Sequence, residues 1–135
     1  PFNGSLEELL TYVKAVCRIN IFFLNQADAN KIWGAVDMFP ELTRTTSLPC
    51  NVEITHTGVN KGTGVRWLCN KLNISIKDTI AFGDSNNDIE MLKVAGDGVA
   101  MGNANSICKA AANHVTRSCT QDGVAYYLTP IFAKI

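Results

Sequence analysis

Thr79-Ile80-Ala81-Phe82-Gly83-Asp84-Ser85-Asn86-Asn87-Asp88-Ile89-Glu90-Met91-Leu92 decides how this chain is read. An apolar run leads to a glycine, and two carboxylates and two carboxamides follow within five positions. Apolar residues then continue at helical spacing, at Ile89, Leu92 and Ala95. The order predicts a buried strand, a tight turn and a helix, with the polar cluster at the strand's carboxyl end. Open parallel α/β sheets bind ligands at that end. Asp84 and Asp88, four apart at a helix start, can both point into such a crevice, and a helix N-terminus favours anions. The chemistry suggested is hard-cation binding beside a phosphate.

Simpler readings exist for the same residues. Asp84 or Ser85 could cap the helix, which explains one side chain and not four. Asp84, Asn86 and Asp88 match the first ligand positions of an EF-hand loop, but Ile89 stands where that loop requires glycine and Ala95 where it requires glutamate. An ordinary solvated turn is the remaining alternative.

Working outward, the composition bounds the class. Hydrophobic residues make up 47% of the 135 and charged residues 18%, which suits a packed domain and excludes a disordered chain. Twelve basic and twelve acidic residues cancel, so nothing points to nucleic acid or an anionic membrane. No apolar stretch reaches transmembrane length. Five dispersed cysteines without a CxxC pair read as reduced, mostly buried thiols of a cytoplasmic protein. His56 and His114 lie far from any zinc-like spacing.

The first part of the chain reads as a small α+β layer. Ser5 and Glu8 form a capping-box pattern before an amphipathic helix. A strand is expected over residues 19–24 and a helix from Asp28 to Phe39, stopped by Pro40. Two short strands over 42–48 and 50–55 should follow. The second alternates, with Val52 and Ile54 facing inward and Asn51, Glu53 and Thr55 on a wet face. Past His56 the chain alternates helix and strand, as a parallel sheet requires: a helix over 61–72 with Val65, Leu68 and Leu72 inward, a strand over 78–83, a helix over 85–95, a strand over 98–101, a helix over 105–112, an edge strand over 114–116 and a last helix from 121. Lys61 stands at a loop-to-helix junction before Gly62-Thr63-Gly64. Glycines and lysine are in the wrong order for a Walker A loop, and Trp67 breaks a dinucleotide fingerprint. By spacing alone, Lys61 is a solvated lysine.

Four blocks in order carry a resemblance: Gly58-Val59-Asn60-Lys61-Gly62, the stretch from Ile80 to Leu92, Gly98-Val99-Ala100-Met101-Gly102-Asn103-Ala104, and Asp122-Gly123-Val124-Ala125. Together they resemble the C-terminal half of a Cof-type phosphatase of the haloacid dehalogenase superfamily, with an α/β cap of type IIB. The resemblance implies an α/β fold. Residues 1–56 would be the later part of a cap, and residues 57–135 the later part of a Rossmannoid parallel-sheet core. It implies Mg²⁺ as cofactor and a small phosphorylated metabolite as substrate. Asp84 would hold the magnesium and Asp88 would support it through water or a neighbouring ligand. Asn87 would contact phosphate or orient the metal's shell, and Lys61 would offset negative charge over the phosphate. Lys61, Asp84 and Asp88 are thus the expected catalytic residues.

The family's Asp-x-Asp-Gly-Thr/Ser motif, which supplies its nucleophile and general acid/base, is not in this sequence. The expectation is therefore a truncated enzyme, inactive alone, whose strand 78–83 lacks a neighbour and needs a partner: the missing N-terminal half or a second copy. Two alternatives remain, a binding or regulatory remnant of the fold and a plain metal-binding domain on residues 84–88.

Overall fold

The computed structural model describes residues 16–133 together with Ser5, Glu8 and Thr11. Ser5 and Glu8 do exchange capping bonds, Ser5 N–H to Glu8 Oε2 at 2.8 Å and Glu8 N–H to Ser5 Oγ at 3.2 Å. The rest of the expected first helix lies outside the described residues.

The first layer is an antiparallel sheet in the order β1-β3-β2, built from Ile19–Phe22 (β1), Leu42–Thr45 (β2) and Asn51–His56 (β3). Helix α1 (Gln26–Val36) covers one face, where Val36, Val52 and Ile54 form a small core with Ile32, Trp33 and Leu42. It starts earlier than expected because the Asn25 side chain, not Asp28, is the cap, accepting from the Asp28 N–H. It also ends at Val36, so Phe39 lies beyond it. Both hairpin strands are shorter or shifted, since residues 46–50 turn rather than pair.

The wet face expected for β3 is not there. Asn51, Glu53 and Thr55 are all buried. β3 is the central strand, and its polar side chains find partners on β1, in the turn before β3 and in the segments that flank the sheet. Asn51 accepts from Ser47 N–H and Leu48 N–H and donates to Asn20. Glu53 accepts from Ser47 Oγ at 2.6 Å and pairs with Arg18 at 3.2 Å. Alternation showed two faces but not that both would be covered.

The second sheet is parallel, in the order β4-β5-β6: Ile80–Gly83, Asp97–Ala100 and His114–Val115. Helix α2 (Lys61–Leu72) packs on α3 (Ile89–Val94), and α3 with α4 (Ser106–Ala111) covers one sheet face. Ala81, Leu92, Ala95, Ala100, Ala104 and Cys108 interlock there. Small side chains let the layers approach, and full burial of Leu92 contributes about 1.5–3 kcal/mol. The last helix, α5 (Gly123–Phe132), covers the other face, with Tyr127 edge-on to Phe82 at 5.7 Å between ring centroids.

Besides shifts of a residue or two at element ends, and a 3-10 turn over Cys119–Gln121 that delays the last helix to Gly123, three details differ from the sequence reading. Residues 76–78 form a 3-10 turn before β4. The helix expected over 85–95 begins as a 3-10 turn, Asn86–Asp88, before α3. Leu68 and Leu72, expected inward, are about half exposed. The reason is β4's position: among the described residues it pairs only with β5, and α2 overhangs its free edge. Val65, Leu68, Leu72, Ile74 and Ile80 line an apolar groove along that edge.

Candidate active site

Three chain segments meet at the carboxyl end of β4. The turn after β4 folds back on the strand: a Cβ on Gly83 would lie 2.5 Å from the Asp88 Cβ, so only glycine permits the approach. Asp88 is 5% exposed. Its Oδ2 accepts the backbone N–H groups of Asp84 (2.9 Å) and Ser85 (3.1 Å), closing the turn. Its Oδ1 forms an ion pair with the Lys61 ammonium.

Lys61 reaches that position because of its helix start. Asn60 caps α2, accepting from Thr63 N–H at 2.9 Å, while Thr63 Oγ1 accepts from Asn60 N–H. Gly62 then lets the helix press against α3, where a Cβ would stand 2.6 Å from the Glu90 carbonyl oxygen. The ammonium also donates to Asn87 Oδ1 at 3.4 Å. Burial pushes the Asp88 carboxyl up, but the Lys61 bond and the two backbone N–H donors outweigh it, leaving the group below its ordinary range.

Asp84 is different. It is exposed, and it has no cationic partner among the described residues. Ser85 Oγ donates to its Oδ1 and Asn103 Nδ2 to its Oδ2, both at 3.1 Å. Neutral donors leave the carboxylate its charge and a free lone pair on each oxygen. That fits a hard divalent cation, which takes few protein ligands and keeps its waters. Asp88 fits direct ligation less well, because both its oxygens are engaged. No group of three or more His, Cys, Asp or Glu able to hold a metal occurs among the described residues.

The structure thus brings Lys61, Asn87 and Asp88 into one cluster and leaves Asp84 beside them, facing outward. Sequence reasoning missed Asn103, and also the Asn105 Nδ2 bond to Asn86 Oδ1 at 2.9 Å that braces the turn. The signal was available: Asn103 follows β5, and the end of a parallel neighbour lies next to the end of β4. Beneath the site sits Cys108, fully buried. Burial first, then the charges of Asp88 and Asp84, push its thiol up from the ordinary value. Of the five cysteines, Cys17, Cys50 and Cys119 are exposed, so most are not the buried thiols expected.

Comparison with known proteins follows the same lines. The family profile described as haloacid dehalogenase-like hydrolase matches residues 6–128. The chain is 37% identical over 131 residues to phosphatase YwpJ of Bacillus subtilis, covering 94% of this chain and 45% of that protein. It is 45% identical over 85 residues to the 5-amino-6-(5-phospho-D-ribitylamino)uracil phosphatase YcsE of the same organism, covering 63% of this chain and 34% of YcsE. The structure of a haloacid dehalogenase-like hydrolase from B. subtilis superposes with a TM-score of 0.82 at 33% identity, over 93% of this chain and 45% of that one. The chain spans less than half the length of these relatives. With profile, relatives and fold in agreement, the chain belongs to the haloacid dehalogenase-like hydrolases.

Proposed function

We propose that this chain carries the cation-binding and phosphate-facing residues of a magnesium-dependent phosphatase for small phosphate monoesters. The observation that carries the reading is one constellation: Lys61 held by buried Asp88 and Asn87, beside an Asp84 carboxylate without a cationic partner, at the carboxyl end of a parallel strand. The relatives YwpJ and YcsE bear the name phosphatase. In this reading residues 1–56 are the later part of a cap and 57–135 the later part of the catalytic core. The five free thiols agree with a cytoplasmic setting.

Asp84 would supply an oxygen to Mg²⁺. The bound cation would neutralise charge on the phosphoryl group. Asp88 keeps Lys61 extended and ionised, so that the ammonium faces the phosphate oxygens together with the Asn87 side chain. Asp88, with both oxygens engaged, would support the bound cation through water rather than ligate it directly. The nucleophile would be an aspartate of an Asp-x-Asp motif, which these 135 residues do not contain, and the substrate a small phosphorylated metabolite. A self-contained metal domain has less support, since among the described residues Asp84 stands without a second free carboxylate beside it.

Inorganic phosphate titrated with Mg²⁺ into ¹⁵N-labelled chain tests the reading. Amide signals of residues 84–88 and of Lys61 should shift together, and Lys61→Ala should abolish the response. Shifts that are absent at tens of millimolar phosphate (a range about where weak anion contacts still register), or unchanged in Lys61→Ala, would sink it.

A further inference from the structure

The Asp84 carboxylate is held at both oxygens, and the second holder comes from a distant part of the chain. We propose that Asn103 is a positioning residue that fixes the Asp84 carboxylate in the orientation in which it receives a divalent cation. The inference rests on the reading of Asp84 given above and adds a residue to it.

Asn103 presents a defined end of its amide. Its Oδ1 accepts the Cys119 backbone N–H at 2.9 Å, which leaves Nδ2 to donate to Asp84 Oδ2 at 3.1 Å. A carbonyl oxygen cannot donate, so the Cys119 N–H settles the direction of the whole relay. The segment supplying that N–H is itself anchored. Gly102 N–H donates to Arg117 O at 3.0 Å, Gln121 N–H to Ser118 O at 3.0 Å, and buried Thr116 Oγ1 to Gly123 O at 2.8 Å. The Arg117 guanidinium lies 3.8 Å over the Tyr126 ring. Asn103 is thus oriented by backbone rather than by the site it serves.

A neutral donor has two consequences here. It removes rotational freedom from Asp84 before any cation arrives, and it leaves the full negative charge in place, as a lysine or arginine would not. Partners that orient a ligating carboxylate typically change metal affinity by about 10–100-fold. Ser85 Oγ performs the same service on Oδ1, but from the adjacent residue, so it cannot set the carboxylate against the rest of the fold.

The test is Mn²⁺ affinity of the full chain, read from water proton relaxation. Asp84→Asn should abolish binding, and Asn103→Ala should weaken it about 10-fold. Cys119 gives a second pair of variants whose side chains do not touch the site. Cys119→Pro removes the orienting N–H at the first residue of a 3-10 turn. Ser118 before it is already extended, at φ −67° and ψ 164°, as a residue preceding proline prefers. Cys119→Pro should weaken Mn²⁺ binding in the same direction as Asn103→Ala, and Cys119→Ala should leave it unchanged. Unaltered affinity in a folded Asn103→Ala, or equal affinities in the two Cys119 variants, would overturn the proposal. Unaltered affinity in Asp84→Asn, or no binding by the parent chain, would instead remove the Asp84 reading and this inference with it.

Discussion

Lys61 and Asp88 are joined across 27 positions of sequence, and the lysine side chain is 43% exposed whereas the aspartate side chain is 7% exposed. The two halves of the pair therefore do different work. Asp88 is a structural anion, satisfied from behind by two backbone N–H groups. Lys61 keeps an open side, through which it can meet a second anion.

Replacing Asp88 should therefore damage folding as well as the site. Asp88→Ala is expected to destabilise by about 1.5–3 kcal/mol, the range for lost bonds to a charged group, measured by urea unfolding. The acid limb carries a sign. The folded carboxyl lies below its unfolded value, so its contribution is present above pH ~3.9 and is lost as pH falls through the lower folded value. Lys61→Met removes one lowering influence and should move the acid unfolding midpoint to higher pH. An unmoved midpoint would show that the backbone donors alone hold the carboxylate.

Two glycines of α2 should respond in opposite directions to alanine. At Gly62 the added Cβ meets backbone at 2.6 Å, and the helix must shift away from α3. A cost of about 1–3 kcal/mol is expected, along with weaker phosphate response because Lys61 moves. Gly64 has open space around it, so Gly64→Ala should stabilise by about 0.5–1 kcal/mol. Thermal melts of the pair would expose any error in how α2 is seated.

Tyr127 should ionise late. Burial first, then its 2.6 Å bond to Asp97 and that residue's charge, push its hydroxyl up to about 12. Ultraviolet titration should show one phenol still protonated near pH 11, and Tyr127→Phe should delete that component. Because the folded value is raised, the contribution to stability is complete below pH ~10 and is lost as pH rises toward 12. A titration complete by pH ~10.5, near the ordinary phenol value, would refute the Asp97 contact in solution.

The 135-residue chain by itself should turn over no aryl phosphate, since its sequence carries no Asp-x-Asp nucleophile segment. Its Mg²⁺ affinity should be weaker than micromolar, because among the described residues Asp84 is the one carboxylate at the site with both oxygens open to a cation. Turnover that disappears in Asp84→Ala, or tight Mg²⁺ binding by calorimetry, would contradict the roles assigned to these residues.

The free edge of β4 should govern association. Ile80 is 38% exposed at a strand paired on one side only among the described residues, and the edge bears none of the charge or proline that blunts exposed edges. Sedimentation at micromolar concentration should show the chain self-associating or bound to a partner that covers the groove. A cooperatively melting monomer would mean that the edge is tolerable as it stands.

How much of this was legible in the sequence depends on the range of the interaction concerned. The strand-turn-helix around Asp84 could be read because glycine, polar turn residues and periodicity are local signals. The α2 start was equally local, as Asn60 and Thr63 cap it. Lys61 could not be placed by spacing, because its meaning comes from α2 packing on α3. Asn103 was overlooked for a similar reason: its place just after β5 was readable, but it gains its role only because β5 lies beside β4. The burial of Asn51 and Glu53 was misread because alternation reports which residues share a face, and says nothing of what covers it. Leu68 and Leu72 were misplaced because helical periodicity cannot show that the surface they face is open.

The position of Cys108 bears on how the protein survives oxidants. Thiols react as thiolates, and a sulfur kept protonated by burial and by two neighbouring carboxylates is a poor target for peroxide or alkylating agents. Cys17, Cys50 and Cys119 stand at the surface and would be consumed first. The sulfur under the site is thus the shielded one, and labels at Cys17 and Cys50 stay clear of the contacts that hold Asp84 and Asp88.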